Sequence, residues 1–568
     1  MSKNIQANHA NEGAISLAPD EIEPKKLRLV VAASSLGTMF EWYDFFIYGL
    51  LTSVLAEHFY VGVPPAAAYI FGLLTFAIGL AFRALGALYF GSIGDMKGRK
   101  GAFLVTISLM GLSTFAVGLL PDYSKIGIWA PIALICLRII QGFALGGEYG
   151  GAVIYVAEHS KANKRGANTG VVQTAATLGF FFALLVVFFT RSIFSEIDFK
   201  AWAWRLPFLL SLGLLAIAIW IRMQLEESPS YKIMKEAGAH SKAPLREVFG
   251  KPENRKLVLL ALFGLMIAQG VIWYTAHFYM QVFWEKQLRV DAQQINKWLL
   301  IVSSLAGVLY VFFGWLSDKV GRKPVMLFGM VLALIAFMPG FKMMVGAVNP
   351  QLALASATSP VVVLADPQDC SFQFSLVSKN PDGRDVFSSS CDVAKSYLTN
   401  NGIAYSNQIA AAGSKAQIKI GETIIESIDV SQMDAAAQKA NKKTFGDATK
   451  AALTTAGYPD KADPAKINHW LVMAIMMTFI TAATALYGPL AAALVELFPT
   501  RIRYTALSVP YHIGTGIFGG FAPTIAFATV TATGDMFSGL WYPLGITAFC
   551  IVIFVIFFPE TRDRDIHV

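Results

Sequence analysis

The segment GSIGDMKGRK (Gly91–Lys100) returns in the second half of the chain as GWLSDKVGRK (Gly314–Lys323), at an offset of 223 residues. Gly, Asp, Gly and Arg recur at the same spacing, and each copy stands where a long apolar run ends. Glycine allows a tight turn and clustered charges need water, so each copy reads as a short loop between two apolar runs. Two such loops divide the chain into like halves. A second pair agrees. Glu158 and Arg165 stand seven apart, as do Glu496 and Arg503, at an offset of 338. The difference between the offsets leaves 115 extra residues in the second half.

The composition explains the apolar runs. The chain has 568 residues, of which 55% are hydrophobic and 15% charged, with a mean hydropathy of +0.52. Soluble domains carry about 25% charged residues, so several soluble domains are excluded, as are disorder, a collagen-like fibre and a disulfide-dense secreted scaffold. Twelve segments are predicted to cross a bilayer as helices: 28–55, 67–92, 101–120, 127–157, 166–190, 203–223, 257–284, 292–316, 324–346, 467–491, 504–531 and 538–558. They are too long and too evenly apolar for the strands of an outer-membrane barrel. With the N-terminus inside, short inside segments hold 25 Lys and Arg and short outside loops hold eight, which predicts both termini in the cytoplasm. The +8 net charge therefore reads as orientation in a lipid bilayer and not as a nucleic-acid surface. The polar first 24 residues show no cleavable signal.

The expected organisation is a tail at 1–27, a six-helix half at 28–223 and a cytoplasmic linker at 224–256. A second six-helix half follows at 257–346 and 467–558, with a tail at 559–568. The surplus residues coincide with the polar stretch 347–466, placed outside the membrane by span parity. Cys370 to Val377 alternates like a strand, Ala416 to Val430 reads as a hairpin or two short strands, and Asp434 to Ala456 as a helix. This predicts a small α+β insertion between helices nine and ten. Cys370 and Cys391 both lie in it and are disulfide candidates.

Further runs carry a resemblance: GTMFEWYDFFIYG (Gly37–Gly49), RIIQGFALGGEYGGA (Arg138–Ala152), WRLPF (Trp204–Phe208), ELFPTRIRYT (Glu496–Thr505) and PET (Pro559–Thr561). With the paired loops and the six-plus-six repeat, the chain resembles the major facilitator superfamily, and within it the metabolite:proton symporters of organic acids and osmolytes. The resemblance implies an all-α membrane fold of twelve helices in two repeats. It also implies a cytoplasmic gate latch built from Gly91, Asp95, Arg99, Asp318 and Arg322, joined by Glu158, Arg165, Glu496 and Arg503. One departure stands in span two, where the branch usually has Arg-Pro and this chain has Arg83-Ala84.

Glu41, Asp44, Arg83, Arg138 and Glu148 fall inside predicted spans. A charge facing lipid costs about 3 kcal/mol on insertion scales, so these five should face one another or a wet cavity. Glu41 and Asp44 are three apart on one helix face, where two carboxylates raise one pKa and suit proton coupling; the alternative is a simple pairing with Arg83 or Arg138. Arg138, Gln141, Leu145 and Glu148 form a stripe on span four. Arg138 and Arg83 are suited to a substrate carboxylate, or else to an internal Arg–Glu lock. Tyr43, Gln173, Tyr274 and His277 are further cavity candidates. Gly142, Gly146, Gly147, Gly150 and Gly151 read as helix packing, and Trp129, Trp202, Trp284 and Trp470 as interface anchors.

There is no G-x-x-x-x-G-K-[ST] loop, no H-E-x-x-H and no compact Cys/His cluster, so neither cofactor nor metal is expected and enzyme chemistry is not indicated. The function expected is proton-coupled import of a small organic acid across a bacterial inner membrane by a monomer. Import of a betaine- or proline-like zwitterion is the alternative, and a sensor working through the insertion is a further rival. The insertion's partner is left open.

Overall fold

In the computed structural model of the chain, residues 24–223, 244–371, 385–499 and 502–566 are described, apart from positions 98, 148, 159 and 565. Long apolar runs satisfy their backbone groups internally, and so they are helices. The first half contains α1 (Pro24–Leu50), α2 (Pro65–Lys97), α3 (Arg99–Leu119), α4 (Trp129–Leu145), α5 (Arg165–Ile193) and α6 (Leu206–Met223). The second contains α7 (Pro252–Gln287), α8 (Ala292–Val320), α9 (Arg322–Val348), α10 (His469–Leu497), α11 (Arg503–Thr533) and α12 (Ser538–Phe557). Among the described residues, nine helices are long and apolar enough to cross a membrane.

The other three expected spans are helical as well, over stretches whose side chains are described only in part. Segment 28–55 is divided between Pro24–Leu50 and Thr52–Phe59. Segment 101–120 is the helix Arg99–Leu119, as expected. Segment 127–157 contains the helices Trp129–Leu145 and Tyr149–Glu158, with position 148 between them outside the described residues. Close packing marks this stretch, since a Cβ on Gly142 or Gly146 would overlap the carbonyl oxygens of Gly79 or Arg83 on α2. Gly147 faces Phe90, and Gly150 faces Ser508 and Tyr504 of α11.

The halves pack most extensively through α5 and α8. Gly166 and Gly314 make this possible, because a Cβ on either would overlap the other's carbonyl oxygen. Three π-helical segments interrupt α7, and one (Ile513–Gly519) follows Pro510 in α11. Such segments often occur where a helix lines a functional site.

Between α9 and α10 a four-stranded sheet forms in the order β2 (Ser406–Ile409), β1 (Val361–Ala365), β3 (Gln417–Ile420) and β4 (Thr423–Glu426). β1 pairs parallel with β2 and antiparallel with β3, and Val361, Val363 and Ala365 point inward from it. Helices Ser390–Asn400 and Ala435–Thr455 complete the unit. Cys370 and Cys391 are joined by a disulfide. The strand expected over Cys370–Val377 lies, from residue 372 onward, outside the described residues.

Candidate functional site

Two buried arginines define the centre of the bundle. Arg83 of α2 is 1% exposed, and among the described residues none of its three guanidinium nitrogens has a hydrogen-bond partner. Its Cζ lies 4.9 Å from the Trp42 ring centroid and 5.9 Å from that of Tyr511. Arg138 of α4 lies 4.2 Å from the Phe45 ring and 4.4 Å from that of Tyr48. Its Nη1 donates to Gln141, whose amide donates to Thr114 Oγ1 at 3.0 Å, while Nε and Nη2 have no partner. A buried cation costs several kcal/mol unless paired, and a cation–π contact returns about 0.5–2 kcal/mol. The arginines are therefore costly buried cations, and guanidinium groups of this kind can accept an anionic partner.

Glu41 and Asp44 of α1 are both buried. Asp44 neighbours Ser211 of α6, and its Oδ1 has no hydrogen-bond partner. Tyr274 stands close to both arginines. His277 stacks on Trp273 with ring centroids 4.2 Å apart, and its Nδ1 lies 2.9 Å from the Trp273 carbonyl oxygen. Trp273 in turn donates to Tyr310 OH at 2.9 Å. Gln173 is buried on α5. Tyr43 differs from its expected place: its hydroxyl donates to Pro207 O at 2.7 Å and its ring packs on Phe182, so it braces α1 against α6. Trp129, Trp202 and Trp470 are exposed, whereas Trp284 is fully buried against Trp298, which removes it as an interface anchor.

His512 lies outside the set of residues that the sequence points to. It is fully buried beside Arg83, and neither ring nitrogen has a partner. An intramembrane histidine was the available signal, the same that marked His277.

On the face of the repeated loops, the halves are tied by buried charges. Asp318 accepts from the backbone N–H groups of Gly166 (2.8 Å) and Ala167 (2.9 Å) at the start of α5, and pairs with Arg322 at 2.6 Å. Glu496 pairs with Arg165 of the first half (2.9 Å) and with Arg322 (3.1 Å), and accepts from Thr561 (2.8 Å). Arg503 donates to the carbonyls of Phe498 and Ile566 at 3.0 and 2.6 Å. Gly91 touches Tyr504, whose hydroxyl donates to Gly147 O at 3.0 Å. Glu148 lies outside the described residues, as do the surroundings of Asp95, Arg99, Gly151 and Glu158.

The opposite face is closed as well. Phe278 of α7 packs on Phe46 and Phe76, with ring centroids 5.7 and 5.1 Å apart. Ser53 donates to Glu285, and Tyr69 meets Phe527 edge-on at 5.1 Å. The arginine cluster is thus enclosed between two sets of contacts that cross from one half to the other.

Residues 29–256 match the family model described as "Sugar (and other) transporter". The chain is 36% identical to the proline/betaine transporter of Escherichia coli over 331 residues, which are 56% of this chain and 65% of that one. The aligned region thus spans just under two thirds of the proline/betaine transporter. With the shikimate transporter of Escherichia coli it shares 31% identity over 344 residues, covering 60% of this chain and 76% of that one. The xylose transporter XylE from E. coli, in a partially occluded inward open conformation, superposes with a TM-score of 0.54 at 14% identity, over 95% of this chain and all of the other. The chain belongs to the major facilitator superfamily. This family's fold accounts for the two halves and for the buried charges that cross between them.

Proposed function

We propose that the protein is a proton-coupled secondary transporter that imports a small zwitterionic osmolyte of the betaine or proline type by alternating access. Arg83 carries this reading, as a buried guanidinium with no hydrogen-bond partner at the meeting of the halves. A substrate carboxylate supplies the missing charge and accepts its N–H groups. Glu41 and Asp44 supply negative charge in the same bundle, so a site with both signs suits a zwitterion better than a bare anion. Asp44 takes and releases the coupled proton as the cavity changes sides. The proline/betaine relative supports this cargo over the organic acid expected from the sequence.

A monocarboxylate remains a second reading, favoured by the shikimate transporter, of which the chain covers 76%. The repeated-loop face is assigned to the cytoplasm with both termini, the insertion to the outside, and the molecule to a bacterial inner membrane. Proteoliposomes enclosing a pH-sensitive dye test the proposal. Glycine betaine or proline should acidify the interior of wild-type vesicles, and Asp44→Asn should abolish the signal while leaving labelled exchange. Acidification by shikimate alone transfers the assignment to organic acids. Labelled entry with no pH response for any solute removes proton coupling.

A further inference from the structure

The insertion closes over a cavity of about 390 Å³ at its own side of the bundle. Three parts of the molecule wall it: the start of α2 at Pro65 and Tyr69, the facing ends of α7 and α11, and the insertion through Tyr397–Tyr405 and Lys450–Asp460. The insertion is fastened to the second half here. Arg289 donates to Pro459 O (2.6 Å) and Asn401 O (2.9 Å), and Tyr405 N donates to Gly534 O (3.0 Å). Gly402, at φ +62°, allows this approach, since a Cβ there would lie 2.5 Å from Lys286 O. Arg289 itself holds φ +57°, a left-handed conformation that costs a non-glycine residue about 1 kcal/mol.

Three buried atoms on the cavity residues lack hydrogen-bond partners: Arg289 Nε, Tyr405 OH and Thr399 Oγ1. Tyr405 is only 5% exposed, and its hydroxyl interacts with that of Thr399, so the two form one polar pair on the wall. The other cations at this wall are matched, Lys286 with Glu285 at 3.0 Å and Lys450 with Asp460 at 4.0 Å. Arg289 gives its two terminal nitrogens to carbonyls that carry no net charge. A buried polar atom left without a partner costs about 1–3 kcal/mol, and three around one cavity describe a site for a polar ligand. Asp460 on the same wall also attracts Arg289, so what the cavity offers is the Arg289 Nε–H and two hydroxyls, a set that suits a carboxylate.

We propose that this cavity is a second solute site, an outer entry site where Arg289, Tyr405 and Thr399 hold the carboxylate of a small solute before it passes to Arg83. The assignment rests on the transport reading above and on the outside placement of the insertion. It gives the insertion a part in capturing solute, and because α2 also lines the cavity, opening of the outer mouth changes the site.

The test uses the full chain with Cys136→Ser and Cys550→Ser and a reporter, Thr454→Cys, at the exposed edge of the cavity. In proteoliposomes a charged, membrane-impermeant methanethiosulfonate labels the reporter in the presence of glycine betaine, L-proline or shikimate. At least one solute should slow labelling about tenfold, equally with Arg83→Ala, and the double variant Tyr405→Phe/Thr399→Val should remove the protection. Labelling unaffected by all three solutes overturns the entry site. Protection that vanishes with Arg83→Ala also overturns it, because the effect would then come from the central site. Uptake in the same vesicles is scored separately: uptake without protection overturns only the entry site, and protection without uptake overturns only the transport reading.

Discussion

At Arg83 the requirements of folding and of the proposed transport oppose each other. Its guanidinium is buried, offers three nitrogens without partners and receives only ring faces in return. Replacing such a charge by a neutral side chain of similar size relieves desolvation. Arg83→Gln should therefore raise the thermal midpoint of the substrate-free protein by a few degrees. The same change should lower uptake about 100-fold, as loss of a charge-assisted interaction of about 3 kcal/mol implies. Melting and uptake measured on one preparation check both; a lowered midpoint would show that the guanidinium has a stabilising partner in the folded protein. The charges were legible as costly groups within apolar runs. Tyr43 was not legible as a brace, because its neighbour Pro207 is 164 residues away and nothing local announces the contact.

Among the elements, α9 shows how a terminus is made. Gly321, at φ +108°, turns the chain between α8 and α9, and Glu560 accepts from the N–H groups of Arg322 (2.9 Å) and Lys323 (3.0 Å). Partial burial raises the Glu560 carboxyl, but hydrogen bonds from four backbone N–H groups outweigh it, so it lies below its ordinary range. A depressed carboxyl stabilises the fold above its ordinary range and loses that contribution as pH falls through the lowered value. This cap should accordingly be constant between pH 6 and 8 (~two units above the ordinary carboxyl range) and fail only in acid. Because Glu560 is exposed, Glu560→Gln should cost only about 0.5 kcal/mol, seen as roughly twofold faster amide exchange at Arg322 and Lys323. In the insertion, the disulfide spans a separation of 21 residues, and its loss should cost about 3 kcal/mol. Reduction should expose the insertion to protease while α1 to α12 stay resistant, and equal resistance before and after would count against a structural role.

Across the whole molecule, Glu496 joins the halves. It is fully buried and answers Arg165 from the first half and Arg322 from the second. Removing one partner of a buried ion pair costs about 3–5 kcal/mol. Under the proposed alternating access the contact to Arg165 breaks when the repeated-loop face opens, so much of that cost falls on the closed state. Glu496→Gln should shift the ratio of open to closed molecules by about 100-fold. Spin labels on the loop ends of α5 and α8 should then report longer distances, and an unchanged distribution would remove the latch role. The pairing itself was only half legible. Glu and Arg seven apart in each loop suggested one network, and the loops are brought together so that the glutamate of one half holds the arginine of the other.

The length and apolarity of the runs, the repeated Gly-Asp-Gly-Arg loops and the charge bias are local properties. They determined helices, two halves and an inserted unit, because a backbone in lipid has few alternatives. Tertiary structure alone decided which buried charges meet. Contacts such as Arg165–Glu496, His512 beside Arg83 and Arg289 against Asn401 join residues more than 100 positions apart. The identity of a charged residue states that it needs a partner, and only the packing of helices supplies one to Glu496 and leaves Arg83 without.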